Sequence, residues 1–175
     1  KENVLIHAGT GTGKTIVSLD FIAKKKIPTA IMVWSSALLT QWQDHIEKRI
    51  GMRPGIIQGK KRQVFPITLV MQETLAVSPL TEDENNYFGI VVLDEVQRAP
   101  ARTVFNAVDQ FKARYRIGLT ADSGRKDGKV TAGDFKPLRF LPKGKIVVLG
   151  LVTTKLDAME KKDDLKRRID EAAKY

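Results

Sequence analysis

The chain has 175 residues, 42% of them hydrophobic, with no cysteine, two histidines and a formal net charge of +10. The length fits one ordinary domain with a real hydrophobic core, and the lack of cysteine excludes disulfides, thiolate-bound zinc and iron–sulfur clusters. No apolar run approaches the ~20 residues that span a bilayer, the N-terminus lacks the pattern of a signal peptide, and the positive charge suits an anionic partner or simply a solvated surface; a soluble, cytoplasmic protein with no membrane partner is expected.

In chain order, Val4–Ala8 reads as a short buried strand that feeds a glycine loop. The loop, Ala8-Gly9-Thr10-Gly11-Thr12-Gly13-Lys14-Thr15, has Ala or Gly, four residues, then Gly-Lys-Ser/Thr, between an apolar strand and a helix. This is the context in which such a loop is a phosphate-binding P-loop. Gly9, Gly11 and Gly13 let the backbone curl and turn successive N–H groups inward. Those donors, from Gly9 through Thr10 and Thr12 to the start of the next helix, would hold phosphate oxygens. Lys14 is expected to reach the β- and γ-phosphates, and Thr15 to set its hydroxyl on Mg²⁺.

Lys14–Lys25 reads as a helix with Val17, Phe21 and Ile22 inward, Ala30–Trp34 as a buried strand, and Ala37–Ile50 as a helix with Leu38, Leu39, Trp42 and Ile46 at helical spacing. Gly55–Gln58 and Ile67–Met71 read as strands, Glu73–Val77 as one helical turn, and the acidic segment Thr81–Tyr87 as a surface loop. Lys60-Lys61-Arg62 is a candidate phosphate-contact cluster or a solvated loop.

Gly89–Asp94 is a strongly apolar strand that ends in two carboxylates, Asp94 and Glu95. In that position Asp94 would hold Mg²⁺ opposite Thr15, and Glu95 would orient or deprotonate an attacking water. Ala101–Phe111 then reads as a helix and Tyr115–Thr120 as a strand. Near-continuous apolar strands alternating with helices predict a parallel sheet covered on both faces. The fold class expected is therefore α/β: a three-layer P-loop NTPase with a mainly parallel sheet.

Asp94-Glu95-Val96-Gln97 resembles the Asp-Glu-x-His or Asp-Glu-x-Gln box of superfamily 2 helicases. Gly118-Leu119-Thr120-Ala121 resembles their Ser/Thr-Ala-Thr motif, and Arg125-Lys126-Asp127-Gly128 the Arg-x-Asp-Gly stretch of the repair and phage branch-migration relatives. Ile31–Ser36 with Leu38-Leu39-x-x-Trp42 resembles the segment that contacts the nucleic-acid backbone in that family. The resemblance covers residues 3–130 and implies the N-terminal RecA-like ATP-binding domain of a helicase. By it, the cofactors are ATP or ADP with Mg²⁺, Gln97 couples the nucleotide site to the neighbouring motif, and the partner is single- or double-stranded nucleic acid bound weakly through its backbone. Three departures are visible. Ser35-Ser36 stand where many relatives have Pro-Thr, Asp122-Ser123 replace the usual Thr-Pro, and the glutamine motif that recognises adenine is not found. Nothing after residue 130 resembles the second RecA-like domain, which supplies arginine fingers in the family. The expectation is slow hydrolysis and no unwinding by this stretch alone.

Ala121–Lys143 is rich in Gly, Pro and charge and reads mostly as loop, with a helical turn at Asp134–Phe140; Lys145–Leu151 reads as a strand, and Asp163–Tyr175 as a helix with Leu165, Ile169 and Ala172 on one side. The tail from about residue 134 resembles a strand–helix unit of the C-terminal barrel of cobalamin-independent methionine synthase. That enzyme's zinc site needs cysteines, so no catalytic residue and no methyl transfer carry over. The two resemblances together imply a chimera of two fragments: residues 1–130 as the P-loop part, and 131–175 as a strand–helix segment packed on the same domain. The strand order expected is 5-1-4-3-2, with the tail strand completing the sheet beside Val4–Ala8. The readings left are a helicase-type ATPase domain, which the resemblance favours, and a nucleotide-binding scaffold without catalysis. A GTPase lacks support, since the Asn-Lys-x-Asp guanine signature is missing.

Overall fold

The computed structural model describes residues 2–9, 11–95, 106–121 and 146–151. Its elements are β1 (Glu2–Ala8), α1 (Lys14–Lys25), β2 (Thr29–Val33), α2 (Ser36–Ile50), β3 (Gly55–Gln58), β4 (Lys61–Gln63), β5 (Ile67–Met71), α3 (Gln72–Val77), α4 (Glu82–Tyr87), β6 (Ile90–Leu93), β7 (Tyr115–Thr120) and β8 (Ile146–Leu151). The strands form one eight-stranded sheet in the order β4-β3-β5-β2-β6-β7-β1-β8. Every pairing is parallel except that of β3 with β4. The expected order 5-1-4-3-2 is present as β8-β1-β7-β6-β2, and β5, β3 and β4 extend it beyond β2.

The strands alternate between two apolar faces, because successive side chains point to opposite sides. Ile31 and Val33 of β2, Ile90 and Val92 of β6, and Ile117 and Leu119 of β7 pack with Val17, Phe21, Leu39, Trp42 and Ile46 from α1 and α2. Ala30 and Met32, Val91 and Leu93 pack on the other side with Leu75, Phe88, Val108 and Phe111. Two apolar faces require cover on both sides, and this is the three-layer arrangement expected for such strands.

Local signals set the helix ends. The Ser35 hydroxyl caps α2 by accepting from the Leu38 N–H, and Gly51, at φ 76°, closes it with its N–H donating to the Glu47 carbonyl. The buried stripe of α2 is Leu39, Trp42 and Ile46. An Arg49 guanidinium donating twice to Asp20, at 2.8 and 3.0 Å, ties α2 to α1. Gly55 meets a different demand: a Cβ there would lie 2.3 Å from the Gln63 carbonyl oxygen, so only glycine allows β3 and β4 to approach.

Two sequence expectations are corrected. Thr81–Tyr87 is not an irregular loop: residues 82–87 are α4, begun by a capping box in which the Thr81 hydroxyl accepts from the Glu84 N–H while the Glu84 carboxylate accepts from the Thr81 N–H. The Thr-x-x-Glu spacing carries this signal, and the acidity of the segment obscured it. Arg62 is not a free phosphate contact. It lies on β4, and its guanidinium donates to Glu84, to the Ser78 carbonyl and hydroxyl, and to the Pro79 carbonyl. The Asp134–Phe140 turn and the Asp163–Tyr175 helix lie outside the described residues.

The hydrogen-bonded Arg62 guanidinium holds the Glu84 carboxyl below its ordinary value of 4.5. A depressed folded-state pKa stabilises the fold above the unfolded value, and the gain disappears as pH falls through the folded one. Replacing Glu84→Gln should therefore lower stability at pH 7 by about 2 kcal/mol. In urea titrations the difference from the parent protein should shrink steadily below about pH 4.5; a gap of equal size at pH 3 would refute the ion-pair account.

Candidate functional site

The site forms at the C-terminal ends of β1 and β6. Leu5, Ile6 and Ala8 bury β1 in the sheet between β7 and β8. The chain then turns through Gly11 at φ 76° and Gly13 at φ 88°, a backbone region closed to most side chains. Thr12 braces the turn, its hydroxyl donating to the Gly9 carbonyl at 2.8 Å. Gly13 delivers the chain into α1, and the Val17 N–H donates back to the Gly13 carbonyl at 3.0 Å. No side chain caps α1, and its first turn has no acidic residue. Its leading N–H groups and its positive dipole end therefore suit an external anion.

Lys14 is the first residue of α1, and its ammonium folds back over the loop. It donates to the carbonyls of Ala8 and Gly9 at 2.6 and 2.7 Å. Burial pushes this half-buried ammonium below its ordinary pKa, while Glu95 and Asp94 act in the opposite direction. A phosphate beside Lys14 would supply the negative charge that its burial calls for. Thr15 follows on the same turn of α1, half-buried.

Asp94 follows β6 directly, and strand alternation sends its side chain to the α1–α2 side of the sheet, as for Val92. It is 8% exposed. Burial raises the Asp94 pKa; the hydrogen bond from Trp42 and the charge of Lys14 lower it again. The Trp42 indole N–H donates to Oδ2 at 2.7 Å, and the Glu95 N–H donates to Oδ1 at 2.9 Å. The Trp34 indole N–H donates to the Asp94 backbone carbonyl. Glu95 has φ 50°, the left-handed region, in which a non-glycine residue is strained and which clusters at functional positions.

The structure thus brings Gly9, Gly11, Thr12, Gly13, Lys14 and Thr15 to one end of the sheet, with the Asp94 and Glu95 charges acting on Lys14. Thr120 ends β7 opposite His7, one residue before the loop begins, which sets the Gly118–Ala121 motif beside β1. Thr10, Gln97 and the Arg125–Gly128 stretch lie outside the described residues. Among the described residues no group of three or more His, Asp or Glu is placed to hold a metal. Mg²⁺ takes oxygen ligands and keeps several waters; the Thr15 hydroxyl and the Asp94 carboxylate are oxygen donors of that kind on α1 and just after β6. The helical spacing of Trp42 with Leu39 and Ile46 matches its burial at 1% exposure, but sequence reasoning missed that its indole N–H donates to Asp94. The Ser35 hydroxyl caps α2, and the Ser36 hydroxyl accepts from Gln58 at 3.3 Å.

A family model described as the type III restriction enzyme, res subunit, matches residues 1–123. The chain is 35% identical over 125 residues to the DNA 3'-5' translocase XPB2 of Sulfurisphaera tokodaii, covering 71% of this chain and 28% of that protein. It is 31% identical over 127 residues to the probable helicase D10 of Escherichia phage T5, covering 73% and 28%. The chain thus spans little more than a quarter of these curated relatives. The UvsW helicase of bacteriophage T4 superposes with a TM-score of 0.61 at 16% identity, over 83% of this chain and 54% of that one, a likeness of fold.

Gly13 and Gly9 should respond differently to the same added methyl group. Gly13→Ala forces a side chain into φ 88° and should cost about 1–2 kcal/mol in urea denaturation. Gly9 is outside that region, and a Cβ there meets nothing closer than Thr12 Cγ2 at 3.7 Å, so Gly9→Ala should cost about 0.5 kcal/mol or less. Equal losses would mean that the loop's left-handed turn is not where the structure has it.

Proposed function

The chain belongs to the family of the type III restriction enzyme res subunit and is the N-terminal RecA-like domain of a superfamily 2 helicase, and on that premise we propose that it binds Mg²⁺–ATP and hydrolyses it slowly by itself. The observation that carries the proposal is the juxtaposition of an uncapped α1 N-terminus and Lys14 with the Asp94 and Glu95 charges at one end of the sheet.

In this reading the loop N–H groups from Gly9 to Lys14 cradle the phosphates, and the Lys14 ammonium leaves the Ala8 and Gly9 carbonyls for phosphate oxygens. Thr15 and Asp94 would hold Mg²⁺, whose chemistry when bound is to neutralise charge on the phosphates. Glu95 orients the attacking water and takes its proton. Gln97 and the Gly118–Ala121 motif relay the state of the site. The exposed Ser35, Ser36 and Ala37, at the head of α2, would meet a nucleic-acid backbone without reading bases, so contact is weak and falls with salt. The names of the relatives support DNA as that partner. Unwinding requires more than residues 1–175.

A second reading is binding without turnover: the Lys14 ammonium gives two of its three N–H groups to the Ala8 and Gly9 carbonyls, which a phosphate would have to displace. We further propose that residues 1–130 form the P-loop part and 131–175 a separate segment on the same sheet. The family match ends at residue 123, and β8 nonetheless runs parallel to β1, Asn3 opposite Ile146 through Ala8 opposite Leu151.

Thermal unfolding tests nucleotide binding. Mg²⁺–ADP at about a hundredfold above its dissociation constant should stabilise the chain by roughly 2.7 kcal/mol. Lys14→Ala should abolish this gain, and no shift in the parent protein at millimolar nucleotide would end the proposal. ATP turnover with and without single-stranded DNA then separates slow hydrolysis from binding alone.

A further inference from the structure

The chain contains two tryptophans, and both donate to the same residue. Trp34, just beyond β2, gives its indole N–H to the backbone carbonyl of Asp94. Trp42, within α2, gives its own to the Asp94 carboxylate at 2.7 Å. Trp42 sits in the core with Leu39 and Ile46, where a phenylalanine would supply comparable apolar area. Unlike a phenylalanine ring, the buried indole carries an N–H that needs an acceptor, and the acceptor it has is the Asp94 carboxylate. The other carboxylate oxygen accepts the Glu95 N–H at 2.9 Å. One donor on each oxygen sets the plane of the group and leaves each oxygen a lone pair.

We infer that Trp42 is a positioning residue: its indole N–H holds the Asp94 carboxylate in the orientation that receives the divalent cation carried by a bound nucleotide. The inference rests on the nucleotide-site reading above. A carboxylate ligand that loses its outer hydrogen-bond partner swings out of the ligating pose. Such losses typically weaken metal binding by about 10- to 100-fold. Trp34 holds the peptide instead of the carboxylate, so its removal leaves the ligating oxygens aligned.

The test is ADP binding to the full 175-residue chain, in Mg²⁺ and in EDTA, by calorimetry. The gain in affinity on adding Mg²⁺ is the readout. Trp42→Phe should reduce that gain by roughly tenfold or more while affinity in EDTA stays within about twofold. Trp34→Phe should keep the gain. A role confined to packing would lower both affinities together or only the melting temperature. A folded Trp42→Phe protein that retains the full gain overturns the inference and leaves the nucleotide site standing. Because Trp42→Phe could fail to fold, the unmodified protein provides a second measurement. Its two indole N–H resonances are assigned through Trp34→Phe, and Mg²⁺–ADP must shift the Trp42 signal relative to ADP alone. An unmoved signal also overturns the inference. If the unmodified chain binds no ADP and matches Lys14→Ala, the nucleotide-site reading falls, and the inference with it.

Discussion

The site depends on the parallel pairing of β1 through β7 to β6. The strands run parallel, with Leu5 opposite Gly118 and Gly118 opposite Leu93, so β6 ends at that level while β7 runs on to Thr120 and β1 to Ala8. The loop that leaves β1 and the carboxylates that leave β6 therefore emerge on one edge, with a single strand between them. Neighbouring strands are about 4.8 Å apart, so the two are offset by roughly 10 Å across the sheet. A slip of one residue would turn Asp94 to the opposite face of the sheet, away from α1 and α2. That register is secured by Ile90, Val92, Ile117 and Leu119 on one side and Val91 and Leu93 on the other, all buried.

Within that frame the charges are held in tension. Lys14 and Asp94 are both partly removed from water, and burial pushes each toward its neutral form. Opposite charge and hydrogen bonds resist this: Glu95 and Asp94 favour the charged Lys14, and the Trp42 indole and the Glu95 N–H favour the charged Asp94. Buried charges that lack such partners neutralise. Burial is the largest influence on both groups, and the uncapped α1 N-terminus beside them adds positive potential with no protein anion in its first turn. An anionic phosphate ligand with its own cation would answer both deficits at once.

The far side of the sheet is built on a different principle. β3, β4 and β5 extend the sheet past β2, and Arg62 on β4 gathers Glu84, Ser78 and Pro79 into one cluster. Glu84 in turn caps the N-terminus of α4. A single carboxylate therefore both starts a helix and pins an edge strand, which explains how a polar stretch with little apolar content keeps a defined shape.

Much of this was legible in the amino-acid sequence. The glycines, Lys14 and Thr15 after an apolar strand identify a phosphate loop because only that residue set supplies inward N–H groups, a cation and a hydroxyl at those steps. Asp94-Glu95 after another apolar strand puts two carboxylates at the same end of the sheet as that loop, and apolar strands with no polar face require a sheet covered on both sides. α4 was missed because its capping box is short and sits in acidic surroundings, and Arg62 because a basic residue in sequence does not show which carboxylate it will find. The indoles of Trp34 and Trp42 are the clearest case of what only the tertiary structure decided. Hydrophobic periodicity could bury Trp42, but the direction of one N–H toward a carboxylate 52 residues away depends on how α2 packs across the end of β6. Sequence determines which groups need partners; packing determines which partners they receive.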